Sequence, residues 1–356
     1  MIHNFNSGPS ILPKEVMQQA SEAIINFNNS GLSILEIGHR TEMFEGVLHE
    51  AISLVKQLMQ LDDDHEVLFL HGGASTQFMQ VPMNLLNPDE TAAYIDNGTW
   101  GLKAIKEAKL FGKVDVVSST KDKNYTYISK DFTIQPGTIY LHYTTNNTIE
   151  GTQWHSVPDA KGGYLFADMS SDILSREMNF NHFDLIYAGA QKNIGAAGVN
   201  LLVINKNMLG RVSRPLPSML DYRQHIANGS MLNTPPVFAI YVAMLTLRWL
   251  KSNGGVNAIE KLNNEKAALF YNTLDSLPVF KAKVPTEDRS KMNAVFIVED
   301  EQIEKEFMAV SKQENLYGVK GHRTVGGFRA SFYNALPLSS VQFLCDVMKD
   351  FAAKKG

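Results

Sequence analysis

The chain has 356 residues, 44% hydrophobic and 20% charged, enough apolar matter for a large core and, at this length, for about two or three domains. A formal net charge of −4 excludes general affinity for nucleic acid or anionic membrane, so any site for an anionic ligand must be local. Cys345 is the only cysteine, which forbids an intrachain disulfide and predicts a reducing, cytoplasmic setting.

Residues 1–13 read as a loop with a turn at Ser7-Gly8-Pro9, and no signal peptide is expected because no basic stretch leads into an apolar one. Residues 14–27 carry a helical stripe of Val16, Ala20, Ala23, Ile24 and Phe27. An irregular stretch ends in Gly38-His39-Arg40, and residues 44–61 then form a strongly amphipathic helix. From there apolar strands alternate with helices and turns: 67–70, 92–95, 114–118, 139–143, 165–167, 185–188 and 199–204. Strands apolar on both faces and separated by crossovers predict an α/β fold, a mostly parallel seven-stranded sheet covered by helices on each side. Thr234 is expected to cap a long buried helix with Pro235 at its first position; its apolar stretch is shorter than the roughly 20 residues of a membrane span. A second helix at 256–277, strands at 292–298 and 326–333, and helices at 301–313 and 339–353 predict a small α+β domain. The expected division is residues 1–250, with 1–15 lining the active site, and residues 251–356.

The chemistry gathers at strand ends, where ligands bind in open α/β sheets. The strand at 185–188 runs into Gly189-Ala190-Gln191-Lys192-Asn193-Ile194-Gly195, a lone lysine among small residues. The strand at 165–167 runs into Asp168. An acid and a lysine on neighbouring strand ends suggest pyridoxal 5'-phosphate (PLP), with a Schiff base on the lysine and the acid paired to the pyridinium nitrogen. Taken singly, Lys192 and Asp168 read better as an exposed lysine after a strand and a helix-capping aspartate, and only their context favours the cofactor. The turn His71-Gly72-Gly73-Ala74-Ser75-Thr76 leads a strand into a helix N-terminus, whose free N–H groups favour a phosphate. It lacks the Gly-Lys-Ser/Thr of a Walker loop and the spacing of a dinucleotide fingerprint. Trp100 follows a second strand end and could stack on a flat ring or fill the core. Lys320, His322, Arg323 and Arg329 set four cationic groups among glycines before a strand, and arginine forks suit carboxylate and phosphate.

These motifs, together with Asn4-Phe5-Asn6-Ser7-Gly8-Pro9 and Asn228-Gly229-Ser230-Met231-Leu232-Asn233-Thr234-Pro235-Pro236, resemble the phosphoserine aminotransferase family, in the class V, fold type I group of PLP enzymes. The resemblance covers essentially the whole chain except about residues 121–135. It implies one PLP per subunit, on Lys192 as Schiff-base lysine, with Asp168 as the pyridinium partner, Trp100 stacking on the ring and Thr148 contacting it. Ala74, Ser75 and Gln191 would line the phosphate, joined by Asn233 and Thr234 from the second subunit of a homodimer with shared sites. Arg329, with Ser7, would grip the substrate α-carboxylate; His322 and Arg323, with His39 and Arg40 of the second subunit, would grip the substrate phosphate. The implied reaction converts L-glutamate and 3-phosphohydroxypyruvate into 2-oxoglutarate and O-phosphoserine in serine biosynthesis, with 4-phosphooxy-threonine as a further substrate in pyridoxine biosynthesis. Many bacterial members carry an arginine where this chain has Ser75, which removes one cation near both phosphates. The alternatives are PLP-dependent desulfuration or β-elimination, for which Cys345 in an apolar helix is a poor catalytic thiol, and a phosphate-binding α/β protein without catalysis.

Overall fold

A computed structural model describes residues 2–355. A two-residue strand, β1 (His3–Asn4), precedes α1 (Lys14–Ile25) and α2 (Glu42–Met59). The sheet follows, with β2 (His65–His71), α3 (Gly73–Leu85), β3 (Thr91–Asp96), α4 (Thr99–Ala108), β4 (Lys113–Ser119), β5 (Tyr140–Thr144), β6 (Tyr164–Asp168), β7 (Leu185–Gly189) and β8 (Val199–Asn205). All seven strands anticipated for this region form one sheet in the order β2-β8-β7-β6-β5-β3-β4. Only β8 is reversed, antiparallel to both β2 and β7, so the carboxyl ends of β2, β3, β5, β6 and β7 share one edge.

The period-two alternation of each strand builds two layers. Phe69, Ile95, Leu141, Leu165 and Ile186 face a core closed by α1, α2 and α6 (Val237–Ser252), to which α2 contributes Phe44, Leu48, Ala51 and Val55. Leu68, Tyr94, Tyr140, Phe166 and Tyr187 face the opposite core, closed by Phe78 and Val81 of α3 and Ala104 and Ile105 of α4. Thr234 does not cap α6. The helix begins at Val237 behind Pro236, and no side chain bonds its first turn. Pro236 disfavours helical geometry at the residue before it, so the helix cannot reach back through Pro235 to Thr234.

Past α5 (Tyr222–Ala227) and α6, the long helix α7 (Gly255–Ser276) contributes Val256 and Ile259 to the first core and Phe270 and Leu274 to a third. Phenylalanine is the commonest residue of that third core, with Phe270, Phe280, Phe296, Phe307, Phe328, Phe332 and Phe351 packed among leucine, valine and alanine. It is built by β9 (Lys281–Ala282), β10 (Asn293–Ile297), α8 (Glu301–Gln313), β11 (Leu316–Tyr317), β12 (Phe328–Ser331) and α9 (Leu338–Ala353), with β12-β10-β9 an antiparallel sheet.

The N-terminus, expected to be loop, is tied into this unit. β1 runs parallel to β11, pairing His3 with Leu316, and Phe5 is fully buried in the phenylalanine core. The Phe5 N–H donates to the Tyr317 carbonyl at 2.7 Å, and its ring meets Phe332 edge-on at 6.5 Å. Phe5→Ala should therefore lower the unfolding free energy by about 3–5 kcal/mol in a urea titration; a change below about 1 kcal/mol would mean that the segment does not depend on this anchor.

Candidate active site

A cavity of about 170 Å³ opens where the five strand ends meet, and each end contributes to its wall. β6 delivers Asp168 and the turn after β7 delivers Gln191 and Lys192. The loop after β5 contributes Asn146 and Thr148, the turn after β2 contributes Gly72 to Ser75, and the first turn of α4 contributes Trp100. A larger cleft of about 650 Å³, beside Glu22, Tyr241 and Arg248, shares no lining residue with it.

Asp168 is buried, and its Oδ1 accepts from the Ser170 N–H at 2.9 Å and the Ser170 hydroxyl at 2.6 Å. Gly189 N–H donates to the same hydroxyl oxygen at 3.2 Å, fastening the ends of β6 and β7 together. Burial raises the Asp168 pKa, opposed by the Ser170 bond and by the charge of Lys192. Lys192 Nζ donates to Thr148 Oγ1 at 2.8 Å. The surrounding protein lowers the lysine pKa from 10.5 to about 8; Asp168 opposes that shift and the charge of Arg329 deepens it.

Arg329 reaches the cavity rim from β12. It donates to the Thr148 carbonyl at 3.1 Å and to Ser7 Oγ at 2.5 Å, while Tyr333 OH donates to the Ser7 carbonyl at 2.8 Å. Residues 7–10, leaving the Phe5 anchor, thus run along the site, and Ser10 N–H donates to the Gln191 carbonyl at 2.9 Å.

The phosphate-type turn has the expected form. Gly72 sits at φ +90°, and a Cβ there would lie 1.9 Å from Thr76 Oγ1, so no larger residue fits where β2 passes into α3. Ala74 and Ser75 lie in the first turn of α3, which carries no acidic residue. The Trp100 ring stands 6.4 Å from Phe78, with Lys103 Nζ 4.3 Å from its centroid. His322 and Arg323 sit on the loop before β12, outside the cavity wall, with Arg323 exposed. Burial lowers the His322 pKa, and Arg329, Arg323 and Lys103 lower it further, so these cations act on one region.

Besides Ser7, His322, Arg323 and Arg329, which flank the cavity without lining it, His39, Arg40, Asn233 and Thr234 also stand away from its wall within one chain. His39 is half-buried and Arg40 exposed on the segment before α2. Asn233 and Thr234 lie beside the end of β2, where His71 Nε2 donates to the Thr234 carbonyl at 2.9 Å. Cys345 is fully buried in the phenylalanine core and absent from the cavity wall.

Sequence reasoning missed Ser170 and Tyr333. The Asp-x-Ser spacing at 168–170 is a local signal for the first, since an aspartate commonly bonds the backbone two residues on. Tyr333 has no local signal, because its link to Ser7 spans 326 residues.

The opposed charges around Lys192 can be separated by pH. In the ligand-free protein, the rate of amine modification at Lys192 should titrate near pH 8. Asp168→Asn removes an attracting charge and should move that midpoint down; Arg329→Met removes a repelling charge and should move it up. Midpoints that stay together would mean that neither group acts on the amine. Because the folded value lies below 10.5, the unfolded chain binds this proton more tightly, and the destabilisation present below pH 8 fades as pH rises toward 10.5.

Comparison with known proteins gives one answer. The family described as "Aminotransferase class-V" matches residues 2–344. The phosphoserine aminotransferase of Flavobacterium johnsoniae is 53% identical over 353 residues, covering 99% of each chain. The solved phosphoserine aminotransferase of Bacillus circulans subsp. alkalophilus superposes with a TM-score of 0.97 at 41% identity, over 100% of this chain and 99% of its own. A PLP-bound phosphoserine aminotransferase from Trichomonas vaginalis does so with a TM-score of 0.93 at 35% identity, over 98% of this chain and 100% of its own. With its sheet edge, cavity and sequence all in agreement, this chain belongs to the class-V aminotransferases and, among them, to the phosphoserine aminotransferase family.

Proposed function

We propose that the enzyme uses PLP to move the amino group of L-glutamate onto 3-phosphohydroxypyruvate, yielding 2-oxoglutarate and O-phospho-L-serine for serine biosynthesis. The observation that carries this reading is the placement of Asp168 and Lys192 on adjoining strand ends, with Arg329 tied to the same wall through Thr148. The wall suits the cofactor. Asp168 has both its Ser170 bonds on one oxygen, leaving the other for a ring nitrogen. Trp100 offers an indole face, and the first turn of α3 offers N–H groups to a phosphate. Lys192 would hold the cofactor through Nζ, with Thr148 and Trp100 against the ring. Ala74, Ser75 and Gln191, joined by Asn233 and Thr234 of a second subunit, would hold its phosphate. Bound PLP supplies an electron sink for the pair released at the substrate α-carbon.

The protein's own groups do the rest. Lys192, with its pKa near 8, is the proton carrier: its neutral form takes the α-proton and returns it, and Thr148 Oγ1 orients Nζ. Asp168 keeps a proton on the ring nitrogen by staying charged beside it. Arg329 orients the α-carboxylate common to all the substrates, with Ser7 steadying the guanidinium. His322 and Arg323, with His39 and Arg40 of the second subunit, take the other anion, a phosphate in one substrate and a side-chain carboxylate in the other. 4-Phosphooxy-L-threonine presents the same two anions and falls within this reading. Because Ser75 is neutral, the cofactor phosphate relies on N–H groups and hydroxyls.

The reading includes a homodimer with shared sites. Its support is that His39, Arg40, Asn233 and Thr234 lie outside the single-chain cavity, and that Leu35, near His39, is 62% exposed. A cytoplasmic location agrees with a lone, buried cysteine. Burial of Cys345 argues against desulfuration.

The test is an absorption spectrum of the protein purified with PLP, taken before and after O-phosphoserine and then serine. A visible band that shifts with O-phosphoserine and not with serine supports the reading, and Lys192→Ala should abolish both the shift and turnover. A band that shifts equally with both would remove the phosphorylated substrate, and no band at all would remove PLP. Arg329→Ala should weaken glutamate and O-phosphoserine alike by about tenfold or more, whereas Arg323→Ala should weaken O-phosphoserine more. Equal losses in steady-state kinetics of both variants would refute this division of the two anion sites.

A further inference from the structure

α4 opens on Gly98, which has no side chain to cap the helix that carries Trp100. The cap oxygen comes instead from Glu150, in the loop after β5. Its Oε1 accepts from the Thr99 N–H at 2.9 Å and from Thr99 Oγ1 at 2.6 Å. Glu150 is buried, and a carboxylate at a helix N-terminus is favoured by the free N–H groups and the helix dipole. Gly98 is a glycine because the two elements touch: a Cβ there would lie 2.5 Å from Asn147 Oδ1 and 3.0 Å from Glu150 Oε2.

The loop that carries Glu150 is itself rigid. Asn147 N–H donates to the Thr152 carbonyl and Gly151 N–H to the Asn147 carbonyl, each at 2.8 Å, and Asn146 Nδ2 bonds Asn293 Oδ1 at 2.8 Å. Two residues before Glu150 stands Thr148, which holds Lys192 Nζ and accepts from Arg329. Trp100 has no comparable restraint of its own, since its buried Nε1 has no hydrogen-bond partner among the described residues. We propose that Glu150 is a positioning residue that clamps α4 to the β5–β6 loop at Thr99, and so fixes the distance between Trp100 and the Thr148–Lys192 wall across the cofactor cavity. Arg329 lies close enough to feel the Glu150 charge but not to bond it, so the clamp acts through Thr99.

This inference rests on the PLP reading of the cavity and is tested on the holoenzyme by PLP affinity and by visible circular dichroism of the cofactor band. E150A should raise the PLP dissociation constant about tenfold and reduce the visible dichroism, with the far-ultraviolet spectrum unchanged. E150Q keeps an oxygen facing Thr99 and should restore both to within about threefold of the wild type. T99V removes one donor without disturbing the core, so it tests the clamp even if E150A folds poorly; it should weaken PLP on its own and add nothing in the E150A background. The clamp is overturned if E150A binds PLP as the wild type does, if E150Q is as impaired as E150A, or if the T99V and E150A losses add. A wild-type protein that takes up no PLP would sink the cofactor reading and this inference with it.

Discussion

Desolvation of charge governs this site. Asp168 and Lys192 line one small cavity, Glu150 and Arg329 stand beside the Thr148 part of its wall, and burial pushes each toward its neutral form. None could stay there alone, because an isolated ion out of water is very unfavourable. They persist because Asp168 offsets Lys192 and Glu150 offsets Arg329, and because Ser170, Thr148, Thr99 and Ser7 supply hydrogen bonds from four different segments. The same arrangement leaves an amine that titrates near pH 8 rather than 10.5, so the environment that strains the charges also makes the lysine useful for proton transfer.

The sheet makes the convergence possible. Five strand ends on one edge hold five loops within reach of one another, and the reversal of β8 leaves that edge open for β2 and its phosphate-type turn. The phenylalanine core then brings β12 to the sheet's edge, where Arg329 bonds Thr148 of the cavity wall. α7 runs through both cores, so the two share one long rigid element.

Much of this was legible in the sequence. Seven apolar runs marked the seven strands, because strands buried on both faces carry hydrophobic residues throughout, although the edge strand β4 is mostly half-buried or exposed, and Asp168 and Lys192 stood out as polar residues at the ends of such runs. Features set by distant partners were not legible. β1, β9 and β11 have two residues each and so no period to read. Glu150 and Tyr333 look like any acid and any tyrosine until Thr99 and Ser7 are placed beside them. Thr234 misled because its cap chemistry is right but two prolines stand between it and α6. Residues 121–135 offered no motif, and the Ile128 N–H there is held by Asp288, far along the chain.

The pairing of β1 with β11, and of Phe5 with the phenylalanine core, bears on how the enzyme is made. Residues 3–5 leave a ribosome long before their partners at 316–332. The large sheet can close once β8 has emerged, whereas residues 3–10 must wait for nearly the whole chain. Ser7 reaches Arg329 only after that wait. A nascent or truncated chain would therefore hold an ordered sheet and an incomplete carboxylate grip, and catalytic competence would arrive as the final event of folding rather than with its bulk.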